Sequence, residues 1–288
     1  LLKARILSAL VLVGIVFIVL FVFPPLLFAC TVALLVTLAV WEWTQFAKIK
    51  QPLVRLIITT IAAAFLYLFL YANSDYISGG NILNNVSELL IVSSLVWWII
   101  AFCLVLNYPK STAVWGNSSI AQLLFAFFTL VPFFLSLMAL RFYHYNSNPY
   151  QGIVLLLYVF LLVWAADTGA YFAGRKFGKH KLAPKVSPGK TWQGAIGGVL
   201  LSAVVACIFL SIAPFYQQSN LSFFQLIALS VLTVFVSILG DLSESMFKRH
   251  CGIKDSSQLI PGHGGIMDRI DSLTAALPVF SAFFFVLN

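Results

Sequence analysis

Two polar segments interrupt an otherwise apolar chain, and both carry side chains suited to metal and phosphate. The chain has 9 acidic residues in 288, and most of them (Asp167, Asp241, Glu244, Asp255, Asp268 and Asp271) fall in or beside these segments. Asp241 closes one apolar run, while Asp268 and Asp271 open the next. Three positions apart, Asp268 and Asp271 share one face of a helix. Carboxylates gathered where two apolar helices meet repel one another unless cations sit among them. Oxygen donors favour Mg2+ over zinc, and Mg2+ typically takes one or two carboxylates together with substrate phosphates. Lys248, Arg249, Lys254 and Arg269 stand around these acids and suit phosphate oxygens. Pro261-Gly262-His263-Gly264-Gly265 reads as a flexible turn through which backbone and His263 approach a ligand closely. A loop that only anchors the last helix by salt bridges explains the charges, but not their crowding with glycines.

In the other segment Asp167 lies inside an apolar run, where an ionisable group costs about 2.5–3.5 kcal/mol on insertion scales. Such a residue marks a functional site by default; the alternative is a buried ion pair with one of the basic residues that follow. Gly169, Gly174 and Gly178 come next, interspersed with Lys and Arg. Ser187-Pro188-Gly189-Lys190-Thr191 then leads into a helix, and free backbone N–H groups and the positive dipole end make that start an anion site. Gly189-Lys190-Thr191 is not a P-loop, because that motif requires glycine where Pro184 stands and a preceding buried strand. The competing reading is a basic loop that touches lipid headgroups. Carboxylates for metal beside cations for phosphate mean nucleotide or phosphoryl chemistry.

The elements that must position these groups follow from composition. Charged residues make up 9% of the chain and hydrophobic residues 61%, against roughly 25% charged in an average soluble domain. The apolar runs are continuous rather than alternating, which excludes a transmembrane barrel. The expected fold is an all-α, polytopic helical membrane protein with about nine spans, near 6–23, 26–46, 54–71, 87–106, 120–140, 152–172, 195–213, 223–240 and 272–287. Pro24-Pro25 breaks the first two into a hairpin. A cleaved signal peptide is the alternative for the first span, but the next apolar stretch follows at once with no A-x-A-like site between. With a cytoplasmic N-terminus, all of the 17 basic residues except Arg141 fall on the inner side, as the positive-inside rule demands. The same bias, with anionic lipid heads, accounts for the net charge of +8, so nucleic acid is not an expected partner. Glu42, between Trp41 and Trp43, reads as interfacial. Cys30, Cys103, Cys207 and Cys251 lack metal or disulfide spacing. Residues 1–145 read as N-terminal spans and 146–288 as the catalytic region with two cytoplasmic polar loops. A site at that membrane edge points to a lipid phosphate as one reactant.

The stretch Ser245-x-Phe-Lys248-Arg249-x4-Lys254-Asp255-x-Ser-x2-Ile-Pro261-x-His263-Gly-Gly-Ile-x-Asp268-Arg269-Ile-Asp271 resembles the signature of the phosphatidate cytidylyltransferases (CDP-diacylglycerol synthases). Ala166-Asp167-Thr-Gly-Ala-Tyr and Ser187-Pro-Gly-Lys190-Thr191 resemble that family too; the N-terminal spans do so only in layout. The resemblance implies a Mg2+-dependent enzyme of the bacterial inner membrane that converts CTP and phosphatidate to CDP-diacylglycerol and diphosphate. It implies Asp241 and Asp268 as principal metal ligands, with a second cation shared between them and Asp271 and Asp167 as weaker candidates. It assigns the phosphates to Ser187, Lys190, Thr191, Lys248, Arg249, Lys254 and Arg269, substrate contact also to Asp255, and a hydrogen bond to phosphate from His263. It also suggests a homodimer. Many relatives carry glutamate where this chain has Gln193, so position 193 is not counted as a ligand. Two rivals remain at this stage: a CTP-dependent polyprenol or phytol kinase, and an ion-coupled transporter. Transporters usually hold their ionisable residues near the midplane, whereas here they gather at one edge.

Overall fold

The structure, a computed structural model, describes residues 2–75, 84–213, 220–260, 262 and 264–288, with side chains from Leu10 onward. Pro261 and His263, much of the connections at 72–86 and 214–222, and the side chains of Lys3 and Arg5 lie outside the described residues.

Helices α1 (Leu2–Phe21) and α2 (Pro25–Phe46) meet at the expected proline pair. Pro25 takes the first helical position, where its missing N–H costs nothing. Next come α3 (Pro52–Ala72), α4 (Asn85–Leu106), the single turn α5 (Thr112–Trp115), α6 (Ser119–Arg141) and α7 (Gln151–Phe177). A hairpin of β1 (Lys181–Ala183) and β2 (Ser187–Thr191) leads into α8 (Trp192–Ile212), α9 (Phe223–Cys251) and α10 (Met267–Leu287). Eight helices, α2–α4 and α6–α10, are long and apolar enough to cross a membrane. The described apolar part of α1, Leu10–Phe21, is shorter. The chain is a polytopic helical membrane protein with a long helix at each expected position.

Two features depart from the sequence reading. The antiparallel pair β1–β2, in which Ala183 faces Ser187 and Lys181 faces Thr191, stands where a basic loop was expected. Pro188 forces Ser187 away from helix and toward extended backbone, and Thr191 is extended as well, at φ −130° and ψ 153°. In addition, α7 and α9 run past the ends of their apolar stretches, to Phe177 and Cys251. A hydropathy reading stops at the first charges, but backbone hydrogen bonds continue wherever charges share one face. Asp241 therefore lies well inside α9 rather than at its end.

Burial separates central from peripheral helices. The apolar window of α6 is 72% buried and that of α10 67%, against 11% for α3 and 22% for α8. Lipid is as apolar as leucine, so close backbone approach replaces hydrophobic gain as the packing force. The α7–α8 seam is built that way. A Cβ at Gly169 would strike the Gly197 carbonyl, and one at Gly198 would strike that of Ala166. At one end of the bundle an aromatic cluster of Trp43, Phe46, Trp115, Phe125 and Phe247 packs α2, α5 and α6 against the C-terminal turns of α9. Arg141 lies at the opposite end of α2, over Phe28.

Candidate active site

Where α9 continues beyond its apolar stretch, Asp241, Glu244, Ser245 and Lys248 recur at three- and four-residue intervals and so share a face. Gly252, left-handed at φ 70°, ends the helix. The chain then crosses to the start of α10 and returns a second set of charges to that face. Lys248 Nζ lies 2.5 Å from Glu244 Oε2 and 2.6 Å from Asp268 Oδ1. Asp268 Oδ2 accepts from the Ser256 N–H, the Ser256 hydroxyl and the Gly265 N–H, each at 2.8 Å. The turn needs glycine twice: Gly264 has φ +79°, and a Cβ on Gly265 would collide with the Ser256 hydroxyl and the Glu42 carboxylate.

A second ion pair is more open. Lys190 Nζ, from β2, lies 2.7 Å from Asp241 Oδ2, and each side chain keeps 27% of its surface exposed. The Ser245 hydroxyl donates to Asp241 Oδ1 at 3.3 Å. Lys190 and Thr191 line a cavity of 420 Å³ together with Asp167, Tyr171, Arg175 and Gly194. Thr191 also caps α8, its hydroxyl accepting the Gly194 N–H at 3.1 Å. Asp167 lies within electrostatic reach of Asp241, Lys190 and Arg269. Asp271 lies within reach of Asp241, Glu244 and Lys190, and its Oδ1 accepts the Ser272 N–H. The two polar segments thus converge at one end of the bundle, although 74 residues separate one centre, Asp167, from the other, Asp241.

Beside the polar cavity is a larger, apolar one of 840 Å³, walled by Trp98, Phe102, Phe235, Val236, Val279 and Phe283 among others. Leu182, Ala195 and Ile238 border both cavities. Lys185, in the turn of the hairpin, is the charged residue on the apolar cavity's wall.

The remaining sequence candidates are placed less centrally. Arg249 is exposed and donates from Nε to the Val186 carbonyl at 3.3 Å, tying α9 to the hairpin. Lys254, Asp255 and Arg269 are exposed, and Ser187 is half-buried at the start of β2. His263 lies outside the described residues. Three residues noted in the sequence were not counted among the site residues. Gln193 Oε1 accepts the Lys179 and His180 N–H groups, and its amide meets His180 Nδ1 at 2.9 Å, so it fastens the end of α7 to α8. Glu244 is buried, and its Oε1 has no hydrogen-bond partner among the described residues. Glu42, expected at the interface, is fully buried and bound to the turn before α10. The signal that singled out Asp167, an acid in an apolar helix, applied equally to Glu42.

This donor set can be tested against a divalent cation. Among the described residues no three His, Cys, Asp or Glu side chains converge on one point able to hold a metal. Asp241 nevertheless offers partly exposed carboxylate oxygen beside Asp271, Glu244 and Asp167, whereas Asp268 Oδ2 is fully engaged and only its Oδ1 is shared. Five carboxylates face two directly paired lysines, with Glu244 Oε1 left unpaired. An excess of hard oxygen donors with one accessible carboxylate fits Mg2+ bound mainly through substrate phosphates and water.

Residues 3–287 match the cytidylyltransferase family. The chain belongs to that family. It is 52% identical over 284 residues to a phosphatidate cytidylyltransferase of Haemophilus influenzae, covering 99% of each chain. It is 40% identical over 283 residues to one of Pseudomonas aeruginosa, covering 98% of this chain and 96% of the relative. A Staphylococcus haemolyticus protein of the same name is 44% identical over 140 residues, 49% of this chain and 52% of the relative. The resemblance seen in the motifs therefore extends to the N-terminal spans.

Proposed function

We propose that the chain is a phosphatidate cytidylyltransferase that joins CMP from CTP to phosphatidate, releasing diphosphate. The observation that carries this reading is the adjacency of a cavity lined by Asp167, Arg175, Lys190 and Thr191, whose Lys190 pairs with Asp241, and a larger apolar cavity across a shared wall of Leu182, Ala195 and Ile238. The polar cavity suits nucleotide phosphates and the apolar one suits acyl chains, so the two reactants meet at their phosphates.

A phosphomonoester has a second pKa near ~6, so the attacking oxygen of phosphatidate is already largely anionic at neutral pH. That oxygen bonds to the α-phosphorus of CTP as the bond to the β-phosphate oxygen breaks, and diphosphate carries the electron pair away. No strong general base is required. The obstacle is repulsion between two polyanions. Lys190 and Thr191 at the α8 start and Ser187 at the start of β2, with Arg249, Lys254 and Arg269 around the rim, orient the phosphates. Lys248, already held between two carboxylates, keeps α9 and α10 in register. Asp241, with Asp271 beside it, would hold Mg2+ mainly through substrate phosphates and water, while Asp268 stays engaged by Lys248, Ser256 and Gly265. Held there, the cation would supply positive charge to phosphate oxygens and to the leaving group. By the positive-inside rule this end of the bundle faces the cytoplasm, across a bacterial inner membrane.

Purified protein incubated with Mg2+, phosphatidate and CTP labelled in the cytidine or the γ-phosphate tests the reading. Cytidine label in the lipid supports it, and γ-phosphate label in the lipid would instead establish the lipid kinase. No Mg2+-dependent release of diphosphate, the behaviour of a transporter, would overturn it.

A further inference from the structure

We infer that Glu42 of α2 is a positioning residue for cytidylyl transfer, fixing the start of α10 and thereby the face that carries Asp268 and Asp271. The inference rests on the proposed reaction. The first N–H groups of a helix have no partner within it, and Ile266, the N-cap of α10, has no side chain able to supply one. Glu42 supplies it from 224 residues away: Oε1 accepts the Ile266 N–H at 2.9 Å, and Oε2 accepts the Met267 N–H at 2.7 Å. A negative charge at that position is further favoured by the helix dipole.

The same carboxylate grips the turn before α10. Ser257 donates its hydroxyl to Oε1 at 2.5 Å, and Ser256 Oγ lies 3.0 Å from Oε2. Ser256 Oγ also lies 2.8 Å from Asp268 Oδ2. One hydroxyl has a single proton to give, so Ser256 serves two carboxylates and links Glu42 to Asp268 through one atom. Gly265, pressed against Glu42 and Ser256, leaves the turn no slack. Glu42 is fully buried and, among the described residues, forms no ion pair with Lys or Arg. An apolar residue would pack an apolar span at lower cost. The carboxylate is explained by the four donors it collects, all from the segment that presents Asp268 and Asp271.

The test compares full-length wild type and Glu42→Gln in detergent at saturating phosphatidate. The amide turns an N–H2 group toward donors that need an acceptor. The expected result is a roughly tenfold to hundredfold fall in kcat per folded molecule, the scale of a small misplacement at a reacting centre. KM for CTP changes little, because Lys190 and the polar cavity do not touch Glu42. An unchanged kcat per folded molecule, with only the folded yield or thermal half-life reduced, would overturn the inference by making Glu42 a structural cap alone. Ser257→Ala removes one donor and leaves Glu42 its contacts with Ser256, Ile266 and Met267, so it serves if Glu42→Gln does not fold. A measurable fall in kcat supports the inference, and wild-type kcat overturns it. Wild type that makes no CDP-diacylglycerol in the same assay would refute the underlying reaction, a result distinct from a loss confined to the variants.

Discussion

Lys190 lies 2.7 Å from Asp241 with about a quarter of each side chain exposed, whereas Lys248 bridges Glu244 and Asp268 with 12% of its own side chain exposed and only 2% and 6% of theirs. Both lysines sit at the same end of the bundle and hold acids of α9 or α10. The difference is access. Lys190 of the open pair lines the polar cavity and can exchange Asp241 for a phosphate, leaving Asp241 free for a metal. The buried pair has already given up its hydration, and breaking it strands charge in a dry interior. One lysine is placed to take part in the reaction, and the other holds the helices that carry it.

Substitutions should separate these roles. Lys248→Met leaves Glu244 and Asp268 buried without their cation, and the expected loss is about 3–5 kcal/mol of stability. It is read as a shortened half-life of folded protein at fixed temperature, the appropriate measure where unfolding is irreversible. Asp241→Asn should instead cost activity. Turnover is expected to fall by roughly 10²–10³-fold, the scale for removing one charge-stabilising group, with the half-life near that of wild type, because an exposed pair contributes only about 0–1 kcal/mol. A long loss of half-life in Asp241→Asn would erase the contrast between the pairs.

Lys190→Met is expected to lower kcat/KM for CTP by about tenfold to a hundredfold, matching a charged hydrogen bond worth about 1.5–3 kcal/mol, again without a change in half-life. The smallest effect sharpens the division between the cavities. Val236→Phe adds bulk to the apolar wall and should shift preference toward short-chain phosphatidate by about 1 kcal/mol or more, leaving the apparent affinity for CTP unchanged. Competition between long- and short-chain substrates in one assay measures it.

Much of this was legible in the residues because a polar side chain in an apolar chain is costly and therefore informative. Asp167, Lys190, Asp241, Lys248 and Asp268 stood out for that reason, and the structure brings them to one end of the bundle. The C-terminal ends of α7 and α9 were not legible. Hydropathy ends α9 at Gly240, yet the helix runs through Cys251 because Asp241, Glu244 and Lys248 fall on one side. The β1–β2 hairpin left no signal beyond Pro188 in a basic stretch. Gly169, noted in the sequence only as one of the glycines after Asp167, serves the α7–α8 seam. The capping role of Glu42 was not read from its place beside two tryptophans near the end of its span. Its partners lie more than 200 residues away in sequence, and no local pattern reports a cap supplied by another helix.

Amine-directed acylation of the intact protein, followed by mass spectrometry with and without CTP, tests the contrast between the lysines most directly. The expected result is that Lys190 is modified in the free protein and protected by CTP, while Lys248 resists modification in both. Equal labelling of Lys190 with and without CTP would contradict the assignment of the open pair to nucleotide phosphate.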